Sequence, residues 1–383
     1  MITSRRNFLK SAGMLTAAAA LFNPAALFGQ KSTKSGAGKV MKLEFEPYEL
    51  RFKHAFAIST LTRTTTPIVL TKITYDGYTG YGEASMPPYL GESHASVLDF
   101  LKRVDLSRFS SPFMIEDIMA YVDSISTNNC AAKAAVDIAL HDLVGKIMGQ
   151  PWWKIWGFDP QHCPDTSYTV GLDTRDIIIE KTKEAAPYKV IKVKLGHDEA
   201  TDKMLINTIR EVTDTVICID ANQGWKDKQY ALDMIHWLAE RNVNMIEQPL
   251  SKYMLDETAW LTERSPLPII ADEACQRLTD VKKLEGAYSG INIKLMKCTG
   301  MREAREMVSL AQALGMKLMI GCMSETSCAI SAASQLAPKM DWVDLDGNLL
   351  ITNDRFKGGM QIVDGKVTPI DKPGLGVEPV NVM

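Results

Sequence analysis

Apolar and polar positions alternate from Met41 to about Tyr81, in runs such as Ile68-Val69-Leu70 and Ile73-Thr74-Tyr75 that break at Asp76-Gly77. Alternation of period two, cut by turn residues, predicts a meander of strands. The period then lengthens. Ala132, Ala135, Val136, Ala139, Leu140, Leu143 and Val144 recur at helical spacing, one apolar face of a helix that Gly149-Gln150-Pro151 halts. Residues 41–160 therefore read as an α+β domain.

After it, short apolar strands are separated by amphipathic stretches of helix length. They are Ser167–Leu172, Val190–Leu195, Val216–Ala221, Met245–Pro249, Pro268–Glu273, Gly290–Leu295, Leu318–Met323 and Trp342–Gly347. Strands alternating with helices predict a parallel sheet with crossover connections, and eight strands is the number that closes a barrel. The expected class is α/β, a (β/α)₈ TIM-like barrel of seven to eight βα units over residues 161–347, with residues 348–383 as a C-terminal segment. An open doubly wound sheet is the competing arrangement, and no GxGxxG stands at a first strand–helix turn to support it.

Charged residues end six of these strands: Lys192-Val193-Lys194, Asp220-Ala221-Asn222, Glu247-Gln248-Pro249, Asp272-Glu273, Lys294 and Asp344-Leu345-Asp346. Barrel strands are buried on both faces, so solvent does not account for so many charges. Catalytic groups of such barrels come from the carboxyl ends of the strands. Asp220, Glu247 and Asp272 lie on consecutive strands and can converge, and carboxylates so placed repel one another unless a cation sits among them. Oxygen ligands without His or Cys favour Mg²⁺. Lys194 and Lys294 lie on strands that stand opposite in an eight-stranded ring, able to face a substrate carbon from its two sides. A nearby dication, Lys192 and partial burial are expected to lower their pKa toward that of a usable base.

The formal net charge is −3, with Lys and Arg scattered rather than clustered, which sets nucleic-acid partners aside. Ser4-Arg5-Arg6-Asn7-Phe8-Leu9-Lys10, ahead of an uncharged stretch ending near Gln30, describes a twin-arginine export signal over residues 1–30. Residues 31–40 follow as a flexible linker, and loss of Arg5, Arg6 and Lys10 with the signal takes the charge from −3 to −6. The expected location is the periplasm, with no stable membrane contact once the signal is removed. A retained membrane anchor facing the periplasm is the alternative, although Asn23-Pro24 interrupts the span. The seven cysteines form no CxxC pair, and buried free thiols are expected over a disulfide.

These residues resemble the enolase superfamily in its muconate-lactonizing branch. The stretches that carry the likeness are Ile191-Lys192-Val193-Lys194-Leu195-Gly196, Asp220-Ala221-Asn222-Gln223-Gly224-Trp225, Ile246-Glu247-Gln248-Pro249, Ala271-Asp272-Glu273 and Asn292-Ile293-Lys294-Leu295-Met296-Lys297. Residues 131–142 and Lys372-Pro373-Gly374-Leu375-Gly376 add to it, while Ala274 and Cys298-Thr299-Gly300 depart from the usual pattern. The resemblance implies that residues 41–160 form a capping domain completed by the C-terminal segment. It implies one Mg²⁺ per subunit on Asp220, Glu247 and Asp272, with Asn222 and Glu273 beside these ligands. It further implies that the substrate carboxylate binds the metal while Lys194 and Lys294 remove and return the α-proton from opposite faces.

Asp344-Leu345-Asp346 ends the strand that lies across the ring from Glu247, and the i, i+2 spacing points both carboxylates the same way. A dipeptide with its carboxylate on the metal and its ammonium on these aspartates spans that mouth, since two residues reach at most ~7 Å. This feature resembles the dipeptide epimerases, whose usual substrate is L-Ala-D/L-Glu from murein peptides. Lys192 is expected at the substrate, and of Lys53, His54 and Arg63 in the first cap loop, Arg63 is chosen for a glutamyl side chain because a guanidinium grips a carboxylate through two bonds. The rival enzymes are an o-succinylbenzoate synthase, an N-acyl amino acid racemase or a cycloisomerase. A non-catalytic periplasmic binding protein would be free to lose either central lysine, and both are present. A homo-oligomer is compatible with the sequence.

Overall fold

The computed structural model describes residues 39–58 and 61–380. The expected export signal and residues 31–38 of the expected linker lie outside them. The first described elements are antiparallel strands β1 (Lys42–Ile58), β2 (Leu61–Tyr75) and β3 (Tyr78–Ser85). Asp76 and Gly77 turn β2 into β3 with φ of 51° and 83°, the positive pair that suits the twist of a tight hairpin. Helices α1 (His94–Lys102), α2 (Ile115–Ser124) and α3 (Cys130–Met148) follow. Strand β3 lies directly on α3: a Cβ at Gly80 would come 2.1 Å from the Ala139 carbonyl, and one at Gly82 2.1 Å from that of Ala135.

Helix α3 differs from the one-faced helix read in the sequence, because it is buried all round from Ala131 to Gly145. Its polar residues tolerate this by finding partners. Lys133 donates to Asp123 at 2.7 Å, Asp137 accepts from Met301 N at 2.5 Å, and Asp142 accepts from Leu375 N at 2.8 Å and Tyr81 N at 2.9 Å. The last three bonds tie the capping helix to the barrel, to the C-terminal segment and to β3.

The barrel strands are β4 (Ser167–Val170), β5 (Val190–Lys194), β6 (Val216–Asp220), β7 (Val243–Glu247), β8 (Ile269–Ala271), β9 (Gly290–Ile293), β10 (Lys317–Gly321) and β11 (Trp342–Asp344), paired in that order and all parallel. The ring is drawn together by a parallel bridge between Thr166 and Val343 and by a hydrogen bond from Leu345 N to the Thr166 hydroxyl at 3.1 Å. Helices α4 (Arg175–Glu184), α5 (Glu199–Arg210), α6 (Lys228–Ala239), α7 (Leu255–Arg264), α8 (Leu278–Leu284), α9 (Met301–Ala313) and α10 (Ser327–Ser334) follow the first seven strands. Inside, Cys218, Met245, Ile270 and Met319 form an apolar layer apart from the main core. The first three precede Asp220, Glu247 and Asp272 by two residues, so this layer lies beneath those carboxylates.

The strands end sooner than the sequence pattern suggests. Gln248, Asn222 and Gln223 have φ of 38°, 42° and 64°, left-handed values that break the ladder just past Glu247 and Asp220. Asp272, Glu273, Lys294 and Asp346 therefore stand on the rim beyond the last paired residues. Beyond β11 the chain forms β12 (Phe356–Gly358), β13 (Gln361–Val363), β14 (Lys366–Thr368) and β15 (Val377–Pro379). This segment meets the first strand, where the Tyr48 hydroxyl donates to Asn353 O at 3.1 Å and Arg51 N to Asn353 Oδ1 at 2.8 Å. The seven cysteines are free thiols, with Cys163, Cys218, Cys275, Cys298 and Cys328 buried. No helix among the described residues is long and apolar enough to cross a membrane.

Candidate active site

Strand register brings the carboxylates together. Lys194 pairs with Asp220 across β5 and β6, and Asp220 with Glu247 across β6 and β7. Asp272 joins them one residue past β8, and oxygens of Asp220, Glu247 and Asp272 lie within 4.8 Å of one another, all buried. Their charges are strongly coupled to lysines. Burial raises the Asp220 carboxyl, but the ammoniums of Lys194 and Lys192 outweigh it and hold the group at about 2. Burial likewise acts against Asp272, yet Lys294 and Lys297 hold it well below the usual carboxylate range. Glu247 moves the other way, pushed up by burial and then by Asp220.

Lys194 donates to Asp220 at 2.7 Å from one side, and Lys294 donates to Asp272 at 2.7 Å from the other. Room for the second lysine comes from Gly321, where a Cβ would meet Lys294 Cε at 3.0 Å and Asn292 Nδ2 at 2.8 Å. The sequence reading expects lowered lysine pKa values. Among the protein's own groups burial and Lys192 act in that direction, but Asp272 outweighs them and carries the Lys294 ammonium well above the ordinary value, which leaves the lowering to a cation that engages Asp272. The reason is the pairing, which stabilises the charged form more than desolvation penalises it.

Lys192 lies deeper, 1% exposed, and reaches Asp344 at 2.6 Å, Glu247 at 2.7 Å and Asp220 at 3.2 Å. Asp344 also accepts from the Ser167 hydroxyl at 2.7 Å, and Asp346 from Thr169 N at 2.8 Å. Burial, followed by the neighbouring Asp344, pushes the Asp346 carboxyl up to about 6. Both aspartates line a cavity of 1390 Å³ together with Lys192, Lys194, Asp272 and Lys294. Arg63 lines it from the cap, half-buried, donating to the Thr66 hydroxyl at 3.0 Å with its guanidinium 5.8 Å from the Phe52 ring. Lys53 is exposed on β1, and the His54 side chain lies outside what is described.

Asn222 and Glu273 stand beside the cluster, the Asn222 amide donating to Glu273 Oε1 at 3.3 Å. Burial, then Asp272 and Asp220, push Glu273 up to about 7. Three residues to which the sequence assigns no role hold the acidic groups in place. Asn292 donates to Glu247 at 2.7 Å, Lys297 to Asp272 at 2.5 Å, and Gln248 Oε1 accepts from Asp272 N at 3.0 Å. The signal for Asn292 is its i, i+2 spacing to Lys294, which puts it on the same strand face.

The donor set fits a hard divalent cation. Three buried carboxylates converge without His or Cys, and three buried oxygens near them, Glu273 Oε2, Asn222 Oδ1 and Asn292 Oδ1, have no hydrogen-bond partner among the described residues.

Comparison with known proteins agrees in extent and in kind. The family described as enolase C-terminal domain-like matches residues 178–381, and the N-terminal domain of mandelate racemase / muconate lactonizing enzyme matches residues 46–157. The twin-arginine translocation pathway signal sequence matches residues 3–22. An L-Ala-D/L-Glu epimerase of Bacteroides thetaiotaomicron is 58% identical over 98% of this chain and 99% of its own length. The substrate-liganded L-Ala-D/L-Glu epimerase of Bacillus subtilis superposes with a TM-score of 0.83 at 28% identity, covering 90% of this chain and all of that one. A dipeptide epimerase of Cytophaga hutchinsonii, solved with Mg and the dipeptide D-Ala-L-Val, superposes with a TM-score of 0.83 at 27% identity over 90% of this chain and 96% of its own.

Proposed function

The chain belongs to the mandelate racemase / muconate lactonizing enzyme family of the enolase superfamily, and from that premise we propose that it is a Mg²⁺-dependent epimerase inverting the C-terminal α-carbon of L-Ala-D/L-Glu-type dipeptides. Like its relatives it is an isomerase of the epimerase kind that acts on dipeptides. The observation that carries the finer reading is the placement of Lys194 and Lys294, which reach one carboxylate cluster from strands four apart in the ring while Asp346 faces the same cavity.

In this reading Asp220, Glu247 and Asp272 hold the cation. A dication there supplies the positive charge that stabilises negative charge on the substrate carboxylate as the α-proton leaves. One of Lys194 and Lys294, as the free amine, takes the α-proton from its own face of the carbon. The other, as the ammonium, delivers a proton to the opposite face, so the centre inverts. Asp346 and Asp344 hold the ammonium of the N-terminal residue, which fixes the direction in which the dipeptide lies. Lys192 neutralises Asp344 and Glu247 from below. Arg63, at the cap side of the cavity, receives the glutamyl side-chain carboxylate.

The twin-arginine signal directs export, and the periplasm is the proposed compartment, where murein peptides supply such dipeptides. The test is a proton NMR screen of a dipeptide library in D₂O with Mg²⁺. Loss of the C-terminal α-proton signal from L-Ala-L-Glu is expected; a library in which no dipeptide loses that proton would overturn the reading.

A further inference from the structure

Among the described residues four lysines are buried around the carboxylate cluster, and one of them does not line the cavity. Lys192, Lys194 and Lys294 line the cavity, whereas Lys297, 1% exposed, does not. Its ammonium is also engaged differently. It donates to Asp272 Oδ1 at 2.5 Å, to the Asp272 carbonyl at 2.7 Å and to the Asn292 carbonyl at 3.0 Å. An ammonium has three donors, so all are used and none is left for a ligand.

The local chain explains the approach. After β9 the backbone turns tightly, Lys297 N donating to Lys294 O at 2.9 Å, so the two lysines reach Asp272 from two sides. Lys294 takes Oδ2 at 2.7 Å and Lys297 takes Oδ1. Asp272 itself stands past the end of β8, where Gln248 Oε1 accepts from its backbone N–H and its carboxylate is held by side chains alone. From this geometry we infer that Lys297 is a positioning residue: it locks the Asp272 carboxylate so that Oδ2 is presented to the cation site. The inference rests on the proposed role of Asp272 as a metal ligand. A ligand held in its binding rotamer before the metal arrives loses less conformational freedom on binding, which is how outer partners of ligands raise metal affinity.

Charge and geometry predict opposite signs for this residue. As a mere positive charge, Lys297 would repel a dication, and its removal would tighten binding. As a positioning residue it strengthens binding. The experiment is calorimetric titration of the full chain with Mg²⁺, using variants whose folding is checked by circular dichroism and melting. Lys297→Met, which keeps the stem and loses the donors, is expected to raise the Mg²⁺ Kd about 10- to 100-fold. The same change in an Asp272→Asn background is expected to add less than about two-fold, because the effect passes through that carboxylate. Lys297→Arg is measured beside it, so that failure of the Met variant to fold leaves a second reading. Its rigid fork cannot reproduce the three-point grip, and weaker Mg²⁺ binding is expected. Equal or tighter Mg²⁺ binding by the folded Lys297 variants would overturn the inference alone. Absence of Mg²⁺ uptake by the wild type would overturn the metal reading and this inference with it.

Discussion

Lys192 donates to Asp344 at 2.6 Å and to Glu247 at 2.7 Å, so a single buried ammonium joins the aspartate pair at the end of β11 to the carboxylate cluster. The two aspartates are therefore unequal. Both line the cavity, but Asp344 is neutralised from within by Lys192, whereas Asp346 accepts a backbone amide and has no ammonium within hydrogen-bond distance among the described residues. Asp346 is accordingly the principal partner for a substrate ammonium. Asp346→Asn is expected to lower kcat/KM on L-Ala-L-Glu by roughly thirty- to several-thousand-fold, from the ~2–5 kcal/mol that a desolvated charge pair loses with one partner. The control is the N-acetylated dipeptide, on which wild type and variant should perform alike. If the wild type handles free and acetylated substrate equally well, the ammonium assignment fails and an N-acyl amino acid racemase becomes the better description.

The same residue sets a pH dependence. Burial and Asp344 push Asp346 up to about 6, and the ionised form is the one that pairs with an ammonium. The kcat/KM of the wild type should fall as pH drops through about 6, and that limb should vanish in Asp346→Asn. A limb that persists unchanged in the variant would assign it to another group.

At the junction of cap and barrel, Glu83 on β3 accepts from Thr326 N at 3.0 Å and from the Thr326 hydroxyl, at the start of α10. Burial, then Glu325, push its carboxyl up to about 8. A folded-state value above the unfolded one means that the stability Glu83 contributes is complete below the ordinary carboxylate range and is lost as pH rises through about 8. Glu83→Gln keeps an acceptor and has no proton to lose. Relative to this variant, the wild type should lose melting temperature between about pH 4.5 and pH 8 and lose no more above it. Parallel melting profiles would contradict the assignment.

Gly321 tests the placement of a lysine without touching it. A methyl group there would come 2.8 Å from Asn292 Nδ2, which must shift, and 3.0 Å from Lys294 Cε, which must give by a few tenths of an ångström. Displacement of a catalytic group by about 1 Å costs on the order of 100-fold, so the smaller shift forced by Gly321→Ala should lower kcat by roughly three- to ten-fold while KM changes little. Steady-state kinetics decides, and an unchanged kcat would show that the lysine has slack.

For the cation, exhaustive chelation should abolish turnover and Mg²⁺ should restore it. Glu247→Gln removes one charge from the cluster and should cost most of the activity, since a bound metal supplies several kcal/mol of charge stabilisation. Full turnover after chelation would refute metal dependence.

Much of this architecture is legible in the sequence for a definite reason. Buried parallel strands are written as short apolar runs, and a charge ending such a run has few explanations, so Asp220, Glu247 and Lys194 stand out. Strand ends are less legible, because left-handed residues such as Gln248 and Asn222 carry no strong local signal. Lys297 is less legible, because a lysine three residues beyond a strand has the pattern of a solvated turn, and only the fold turns it inward. Helix α3 is illegible for the same reason: Lys133, Asp137 and Asp142 have the pattern of a solvent face, and their partners are distant in the chain. The direction of the Lys294 shift depends on Asp272, a neighbour from another strand, and has no reading in local sequence.

The central claim is that Lys194 and Lys294 serve opposite faces of one carbon. It is tested most directly by following α-proton exchange of L-Ala-L-Glu and L-Ala-D-Glu in D₂O by NMR with Lys194→Ala and Lys294→Ala. Each variant should fail to epimerise yet still exchange the α-proton of one stereoisomer, a different one for each lysine. Exchange of both stereoisomers at equal rates by both variants would contradict the two-face account.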